Sequence, residues 1–509
     1  MRVHLVNPSH AAFGVAVITP RWLFVLAGAT PRAFGDPVLV DESIAPFDPS
    51  TVERGDVVGI SVHTGNALRG YEVGNAARER GAWVVYGGIH ATLFPDEPHA
   101  RGGAHAVVTG DGDVIWGQVI ADCHAGTPEP VYAAGRVPGD RMVPARWDLM
   151  HREHYMWASV QTVRGCPKHC SFCSVWRTDG QAPRTRGNDA VVEEVVELRR
   201  LGFRFIALAD DNFYPVTRAD LAQAARRQDR SRLQALEAMR EDRLDLMRRL
   251  AQLPRDMVFF TQITMEACED HDFLDAMRAA RIKGALVGVE SITPEGLKDV
   301  YKGFNATGDA LVARLRTFRA HDIHVLGSFI FGLPSDRHET FAATADLADR
   351  ADITFAQFVM LTPFPGTVDF EKWSKGVDAE GKHVDGIPYS RHWLIPRASR
   401  PHIYTHHPVL SPDEIRAYTQ ETWDRFYSMA SVWRRSRCVK SVRARVAFVL
   451  VSKLYRQMYA NTGITTDSGR VARSVKWSRW LAAPLQKLFA GSPMPDLAVP
   501  QAVAEESAA

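Results

Sequence analysis

The chain has few cysteines, almost no net charge and no long apolar run. Six cysteines among 509 residues exclude a disulfide-stapled scaffold and suit a reducing compartment. The longest apolar runs, Trp22–Ala29 and Val446–Val451, fall far short of the ~20 residues a membrane span requires. The N-terminus, Met1 to Pro8, lacks the apolar region and cleavage site of a signal peptide, so the sequence predicts a cytoplasmic protein. Internal repeats are absent, and low-complexity sequence is confined to the Ala/Pro/Glu-rich C-terminal end. A net charge of +2 argues by itself against a nucleic-acid or membrane-surface binder, but it is a cancellation. Residues 431–490 carry thirteen Lys and Arg against one acid, Asp467, while the rest of the chain carries 48 bases and 58 acids. An acidic body therefore bears a basic tail.

What is present is a globular composition, 46% hydrophobic and 24% charged, at a length that implies about three domains. The N-terminal part alternates β-branched runs (Val3–Val6, Val38–Asp41, Val57–Val62, Trp83–Tyr86, Ala106–Thr109) with amphipathic stretches (Leu68–Arg80, Val114–His124). Such runs read as strands buried on both faces. Their alternation with helices implies a doubly wound parallel sheet, whose ligands lie at the carboxyl ends of the strands. Those ends are polar or glycine-rich here: Asn7 to Gly14, Ser61 to Thr64, Gly87 to Thr92, and Gly110-Asp-Gly112. Glycine lets a flat or phosphorylated ligand approach the backbone, which makes Ser61, Thr64, Gly87, Gly88, His90, Gly110 and Gly112 candidate contacts.

A Pro/Gly/Arg-rich linker, Gly126 to Arg146, precedes a second β/α region. Its candidate strands are Ala158–Val163, Phe205–Asp210, Val258–Thr264, Ala285–Glu290, His324–Phe331 and Thr354–Met360. Six strand–helix units predict a partial barrel. A charged helix pair, Arg218–Gln252, is inserted after the second strand, and Lys375–Leu410 reads as loop. A helix begins at Ser411-Pro-Asp-Glu and is expected to bury Ile415, Tyr418, Thr422, Phe426 and Met429.

The chemistry-bearing motif is Cys166-Pro-Lys-His-Cys170-Ser-Phe-Cys173, at the end of the first barrel strand. Three thiolates this close can hold three irons of a cubane cluster and leave the fourth open. Structural zinc needs a fourth Cys or His; His169 lies inside the tether, and Cys123, Cys268 and Cys438 are scattered.

With Phe172 before its third cysteine, the triplet resembles the signature of the radical S-adenosylmethionine (SAM) superfamily. Ala209-Asp-Asp-Asn-Phe213 stands where many members contact the methionine amine. Val287-Gly-Val-Glu-Ser291 resembles the strand that faces SAM. Gly327–Pro334 and Leu361–Thr367 resemble the last barrel strands and the loop behind the adenine. Residues 1–125 are similar to the cobalamin-binding domain of one large subfamily, most clearly at Gly87-Gly-Ile-His-Ala-Thr92. Arg164-Gly-Cys-Pro and Cys170-Ser-Phe-Cys-Ser174 with Trp176 resemble the oxygen-independent magnesium-protoporphyrin monomethyl ester cyclases, and lipid and hopanoid methylases share the architecture.

The resemblance implies an α/β chain in three parts: a doubly wound, Rossmann-like cobalamin-binding domain (1–135), a partial (β/α)6 TIM-type radical SAM barrel (150–372) and a mostly helical basic region (373–509). It implies Cys166, Cys170 and Cys173 as ligands of a [4Fe–4S] cluster, and Phe172, Asp210, Asp211, Asn212, Glu290 and Ser291 as neighbours of SAM. The implied activity is generation of a 5′-deoxyadenosyl radical and C-methylation of an unactivated carbon on a hydrophobic substrate, an isoprenoid lipid or tetrapyrrole. Oxidative cyclisation without methyl transfer is the alternative, and a metal-binding or electron-carrier protein is the reading outside catalysis. A flavodoxin- or ferredoxin-type electron donor is the expected partner. Cobalamin domains that supply an axial histidine carry Asp-x-His-x-x-Gly after the first strand. Pro8-Ser-His-Ala-Ala-Phe-Gly14 lacks the Asp and has its glycine one position late, so base-off cobalamin without a protein histidine is expected, and His10 is the first candidate otherwise.

Trp433, Trp477, Trp480 and Leu481 among the bases of 431–490 point to peripheral contact with the inner face of the membrane. A solvated helical face is the alternative, and nucleic acid is not expected. His392, His402, His406 and His407, in a Pro-rich loop, are candidates for lining the substrate pocket.

Overall fold

The computed structural model describes residues 1–10, 16–396, 398–401 and 403–461. Part of the loop after the first strand (11–15), His402 and the tail from 462 onward, with Trp477, Trp480 and Leu481, lie outside the described residues.

The N-terminal strands are β1 (Val3–Asn7), β2 (Ala16–Ile18), β3 (Val38–Asp41), β4 (Val57–Ser61), β5 (Trp83–Gly87), β6 (Ala106–Gly110) and β7 (Val131–Gly135). All but β2 form one sheet of order β3-β1-β4-β5-β6-β7, and every pairing in it is parallel. Central strands β1, β4 and β5 are apolar and buried, as the sequence predicts. Two expectations change. Val38–Asp41 is an edge strand with an exposed start. The supposed linker contains β7, which the sequence hides because only Tyr132 of its five residues is buried. Helix Ala67–Glu79 packs tightly on the sheet because it carries glycine on the inner face. A Cβ on Gly74 would lie 1.9 Å from the Tyr86 hydroxyl, which donates to the carbonyls of Gly70 and Gly102.

The second sheet uses β8 (Tyr155–Val160), then β11 (Phe205–Leu208), β12 (Val258–Ile263), β13 (Ile282–Glu290), β14 (His324–Phe331) and β15 (Phe355–Met360). Between β8 and β11 a short antiparallel pair, β9 (Val163–Arg164) with β10 (Arg184–Thr185), ties the neck of the cysteine loop. The barrel order is β15-β14-β13-β12-β11-β8-β2. The six expected strands are all present and parallel, in a curled, partial barrel. A seventh, β2, comes from the N-terminal part and pairs through Ala16 with Tyr155 and Ile18 with Trp157. Three residues with only Ala16 buried give no strand signal in the sequence. One hydrophobic core runs across both sheets, from Leu5 and Val85 to Phe259 and Phe358.

The inserted charged segment forms helices Arg218–Arg226 and Arg230–Gln252; the latter buries Arg243, Leu246, Met247 and Leu250. The stretch read as loop contains the end of helix Val368–Ala379 and a 3-10 turn, Tyr389–Leu394. That turn drives Trp393 against the N-terminal domain, where its indole donates to Glu97 (3.0 Å). Helix Pro412–Phe426 starts as expected, with Ser411 and Glu414 in a reciprocal capping box. It stops at Phe426, because Ser428 caps a new helix, Met429–Arg435. Met429 therefore faces solvent, and Trp423, bonded to the Phe358 carbonyl (2.8 Å), takes the core position.

Candidate active site

The cysteine loop leaves the carboxyl end of β8, where a parallel α/β sheet presents its ligands. Gly165 has φ +90°, a left-handed value open to glycine, and its amide donates to Asp211 (2.7 Å). The Cys166 amide donates to the Gly180 carbonyl, and the Trp176 indole donates to the Cys170 carbonyl (both 3.1 Å). Ser171 is pinned on two sides: its amide reaches the Val300 carbonyl and its hydroxyl reaches Asp369. Phe172 packs on the apolar cluster Val300, Ile330 and Leu333 at the barrel mouth. Burial pushes the Cys170 and Cys173 thiols up to about 11 and Cys166 upward. Neutral thiols crowd without repulsion, and metal uptake displaces their protons. Among the described residues no three His, Cys, Asp or Glu side chains converge on one ion. A cubane cluster puts each cysteine on a different iron, so it calls for thiols around a shared space instead.

The carboxylates named from the sequence divide by role. Both oxygens of Asp210 are taken up, by the Thr162 amide (2.5 Å) and hydroxyl (2.6 Å) and by the Val163 amide (2.9 Å). Asp210 thereby fixes the approach to the cysteine loop. Arg243 of the inserted helix completes this buried group by donating to the Thr162 hydroxyl (2.8 Å). Asn212 is also engaged internally, with Tyr214 and the Thr264 amide. Asp211, raised to about 6 by burial, lies beside Gly165. Glu290 adopts φ +65° and pairs with buried Lys302 (2.9 Å), whose ammonium also reaches the Gly288 carbonyl (3.0 Å). Burial opposes the Lys302 charge, but Glu290 and the neighbouring Cys170 and Cys166 outweigh it and raise its pKa. The Ser291 hydroxyl stays local, against Thr293 at the start of helix Pro294–Asp299.

The glycine-rich edge of the N-terminal sheet faces the first barrel strand across a cavity of about 520 Å3. Ser61, Gly87, Gly88, Gly110 and Gly112 line it, together with Gly59 and Gly135; Ser159, Gln161 and Arg164 line it from the barrel side. Cβ atoms on Gly87 and Gly135 would meet no heavy atom within 3.5 Å, so the backbone there is open to a flat ligand. Thr64 and His90 do not line the cavity. His90 is fully buried between the Thr64 hydroxyl (3.2 Å) and Glu97 (3.0 Å), and Glu97 also accepts from Tyr71 and Trp393. This polar hub fastens the C-terminal region to the N-terminal domain. The described loop histidines make separate contacts. His392 bonds the Pro363 carbonyl and His407 the Leu333 carbonyl, while His406 is exposed.

Three groups of residues escaped the sequence reading. Asp111 and Asp113, beside two glycines already singled out, pair with Arg164 at 3.1 and 3.4 Å, and Arg184 also pairs with Asp111. Lys302 and Arg243 carry no motif; Arg243 is one of many bases in the charged helix pair, and Lys302 stands between two helices. Gly135 lies in the strand hidden within the linker.

The Radical SAM superfamily matches residues 160–348. The bacteriochlorophyllide d C-12(1)-methyltransferase of Chlorobaculum tepidum is 28% identical over 387 residues, 74% of this chain and 77% of its own. The anaerobic magnesium-protoporphyrin IX monomethyl ester cyclase of Cereibacter sphaeroides is 24% identical over 458 residues, 81% of this chain and 68% of its own. Among solved structures, TsrM from Kitasatospora setae, a radical S-adenosylmethionine methyltransferase with cobalamin and a [4Fe–4S] cluster bound, superposes with a TM-score of 0.62 at 17% identity. That match covers 89% of this chain and 100% of TsrM. With its cysteine loop at the mouth of a partial barrel and a doubly wound domain facing it, this chain is similar over residues 160–348 to the Radical SAM superfamily, and its relatives support an enzyme of that kind.

Proposed function

We propose that this protein is a cobalamin-dependent radical SAM C-methyltransferase acting on a tetrapyrrole. The observation that carries the reading is the shared cavity: the glycine edge of one domain and the approach to the cysteine loop of the other line the same space. The donor set fits both cofactors. Cys166, Cys170 and Cys173 would hold a [4Fe–4S] cluster, and the open backbone at Gly87 and Gly135 admits a macrocycle laid flat. When bound, the cluster supplies the electron that splits the sulfonium of SAM to a 5′-deoxyadenosyl radical, and cobalamin supplies a transferable methyl group. The chain's own residues position and exclude. Asp211 and Glu290 are acceptors for the amine and hydroxyl donors of SAM. Asp210 and Arg243 hold the loop entrance. Trp22, Val25, Val85 and Trp116 give the cavity an apolar wall that keeps water from a reactive carbon radical.

The tetrapyrrole is preferred because the bacteriochlorophyllide methyltransferase is 28% identical over 74% of this chain, whereas a hopanoid C-2 methylase is 24% identical over 75%. The cyclase reading stands second, on its larger share of the chain. Reduced, anaerobically reconstituted protein, incubated with cobalamin, methyl-deuterated SAM and chlorin or protoporphyrin-type substrates, separates the two. Deuterated product with 5′-deoxyadenosine supports methylation. An unlabelled product that has lost hydrogen supports cyclisation. SAM cleavage with no tetrapyrrole product overturns the substrate assignment.

A further inference from the structure

We infer that the helices Met429–Arg435 and Val442–Asn461 form a peripheral docking face for an anionic lipid surface, at the pole of the barrel opposite the cysteine loop. Phe448 and Tyr455 anchor the second helix on Phe355, the first residue of β15. Arg319, in the last turn of the helix that leads into β14, donates to the Cys438 carbonyl (2.9 Å). These contacts all lie at the amino ends of the barrel strands, whereas the cysteines follow the carboxyl end of β8. The outward side of the same helices is apolar and, among the described residues, unpartnered: Val442 is 71% exposed, Leu450 57% and Val446 49%, at four-residue spacing on one helical face, and Met429 and Trp433 of the preceding helix are exposed as well. The Arg445 guanidinium lies over the Trp433 ring at 4.3 Å.

Charge selects the occupant. Residues 429–461 contain eight Lys and Arg and no acid. Arg434 and Arg435 pair with Asp349, and Arg456 pairs with Asp424, but Arg437, Lys440 and Arg443 make no ion pair among the described residues. The next segment, 462–490, adds five bases and one acid, so neither its composition nor a second copy of the face is complementary in charge. The partner is therefore anionic. An exposed Trp, Leu and Val ridge has little use against a phosphodiester backbone, whereas at a membrane interface it buries among acyl chains while the flanking bases stay at the headgroups. Docked this way, the barrel mouth faces the aqueous phase, and the face serves as an anchor separate from substrate entry.

The test is co-sedimentation of the full chain with vesicles of phosphatidylcholine alone or with added phosphatidylglycerol. Anionic vesicles should pellet the protein, added salt should release it, and neutral vesicles should leave it in solution. Val446→Glu with Leu450→Glu, and separately Arg437→Glu with Lys440→Glu and Arg443→Glu, should each weaken partitioning by about tenfold or more without changing the melting temperature, since all five side chains face solvent. Failure to pellet with anionic vesicles overturns the proposal. So does equal pelleting of the variants, a lowered melting temperature for the Glu pair (the ridge covered by the chain itself), or retention on RNA without vesicle binding.

Discussion

The guanidinium of Arg164 lies 3.1 Å from the carboxylate of Asp111, which joins the approach to the cysteine loop to the glycine-rich edge of the facing sheet. Arg164 stands two residues before Cys166, and Asp111 lies between the cavity glycines Gly110 and Gly112. The pair is largely buried and has Arg184 and Asp113 as neighbours, so it works as part of a network.

Breaking that network should loosen the cysteine loop. Asp111→Asn and Arg164→Gln should each cost about 1–3 kcal/mol, and the double variant should cost less than the sum. Urea unfolding of the metal-free protein measures the coupling. Hydrogen exchange of amides 163–173 should be faster in each variant; additive losses with unchanged exchange would show the pair to be incidental.

Serine at Cys166, Cys170 or Cys173 should each abolish iron retention after anaerobic reconstitution, because a cluster held by three thiolates does not survive loss of one. Serine at Cys123, Cys268 or Cys438 should leave iron content unchanged. Colorimetric iron analysis of gel-filtered protein decides the matter.

Lys302→Met should destabilise the protein by about 3–5 kcal/mol, because it strands the buried Glu290 charge. The double variant Lys302→Met, Glu290→Leu should recover much of that loss while still failing to cleave SAM. Chemical denaturation gives the first result and chromatographic assay of 5′-deoxyadenosine the second. A double variant of full activity would remove Glu290 from the SAM site.

Asp336 provides a pH test. Its carboxylate accepts the Gly332 and Leu333 amides at 2.8 and 3.0 Å, yet burial pushes its pKa up to about 7. An acid raised on folding binds more protons in the native state, so its contribution to stability falls as pH rises from about 4 to 7. Asp336→Asn keeps an acceptor oxygen and removes the titration. Relative to the parent, its unfolding free energy from urea titration should rise between pH 5 and pH 7.5, by roughly 1–3 kcal/mol.

How much of this was legible in the sequence follows from what each residue depends on. The central strands and the cysteine spacing are written locally, in apolar runs and in three thiols within one loop. β2 and β7 are not, because a three-residue strand and an edge strand with one buried side chain leave no pattern. Asp210 shows how a motif can be legible while its partners are not. Its motif marks the correct end of β11, but its oxygens are claimed by Thr162 and Val163, which become neighbours only when β8 and β11 pair. Lys302 and Arg243 were invisible for the same reason, since a buried base is recognised only by the partner it meets. Met429 was misplaced because Ser428 ends one helix and caps the next.

The central claim is that one cavity brings a corrinoid to a cluster-bearing loop. The direct measurement is anaerobic reconstitution with iron, sulfide and hydroxocobalamin, followed by gel filtration and quantification of iron and corrinoid in the parent and in Gly87→Leu. The account predicts about four irons and about one corrinoid per chain in the parent, and full iron with corrinoid lost in the variant. A parent that retains iron but no corrinoid, or a filled cavity that still holds it, would contradict the account.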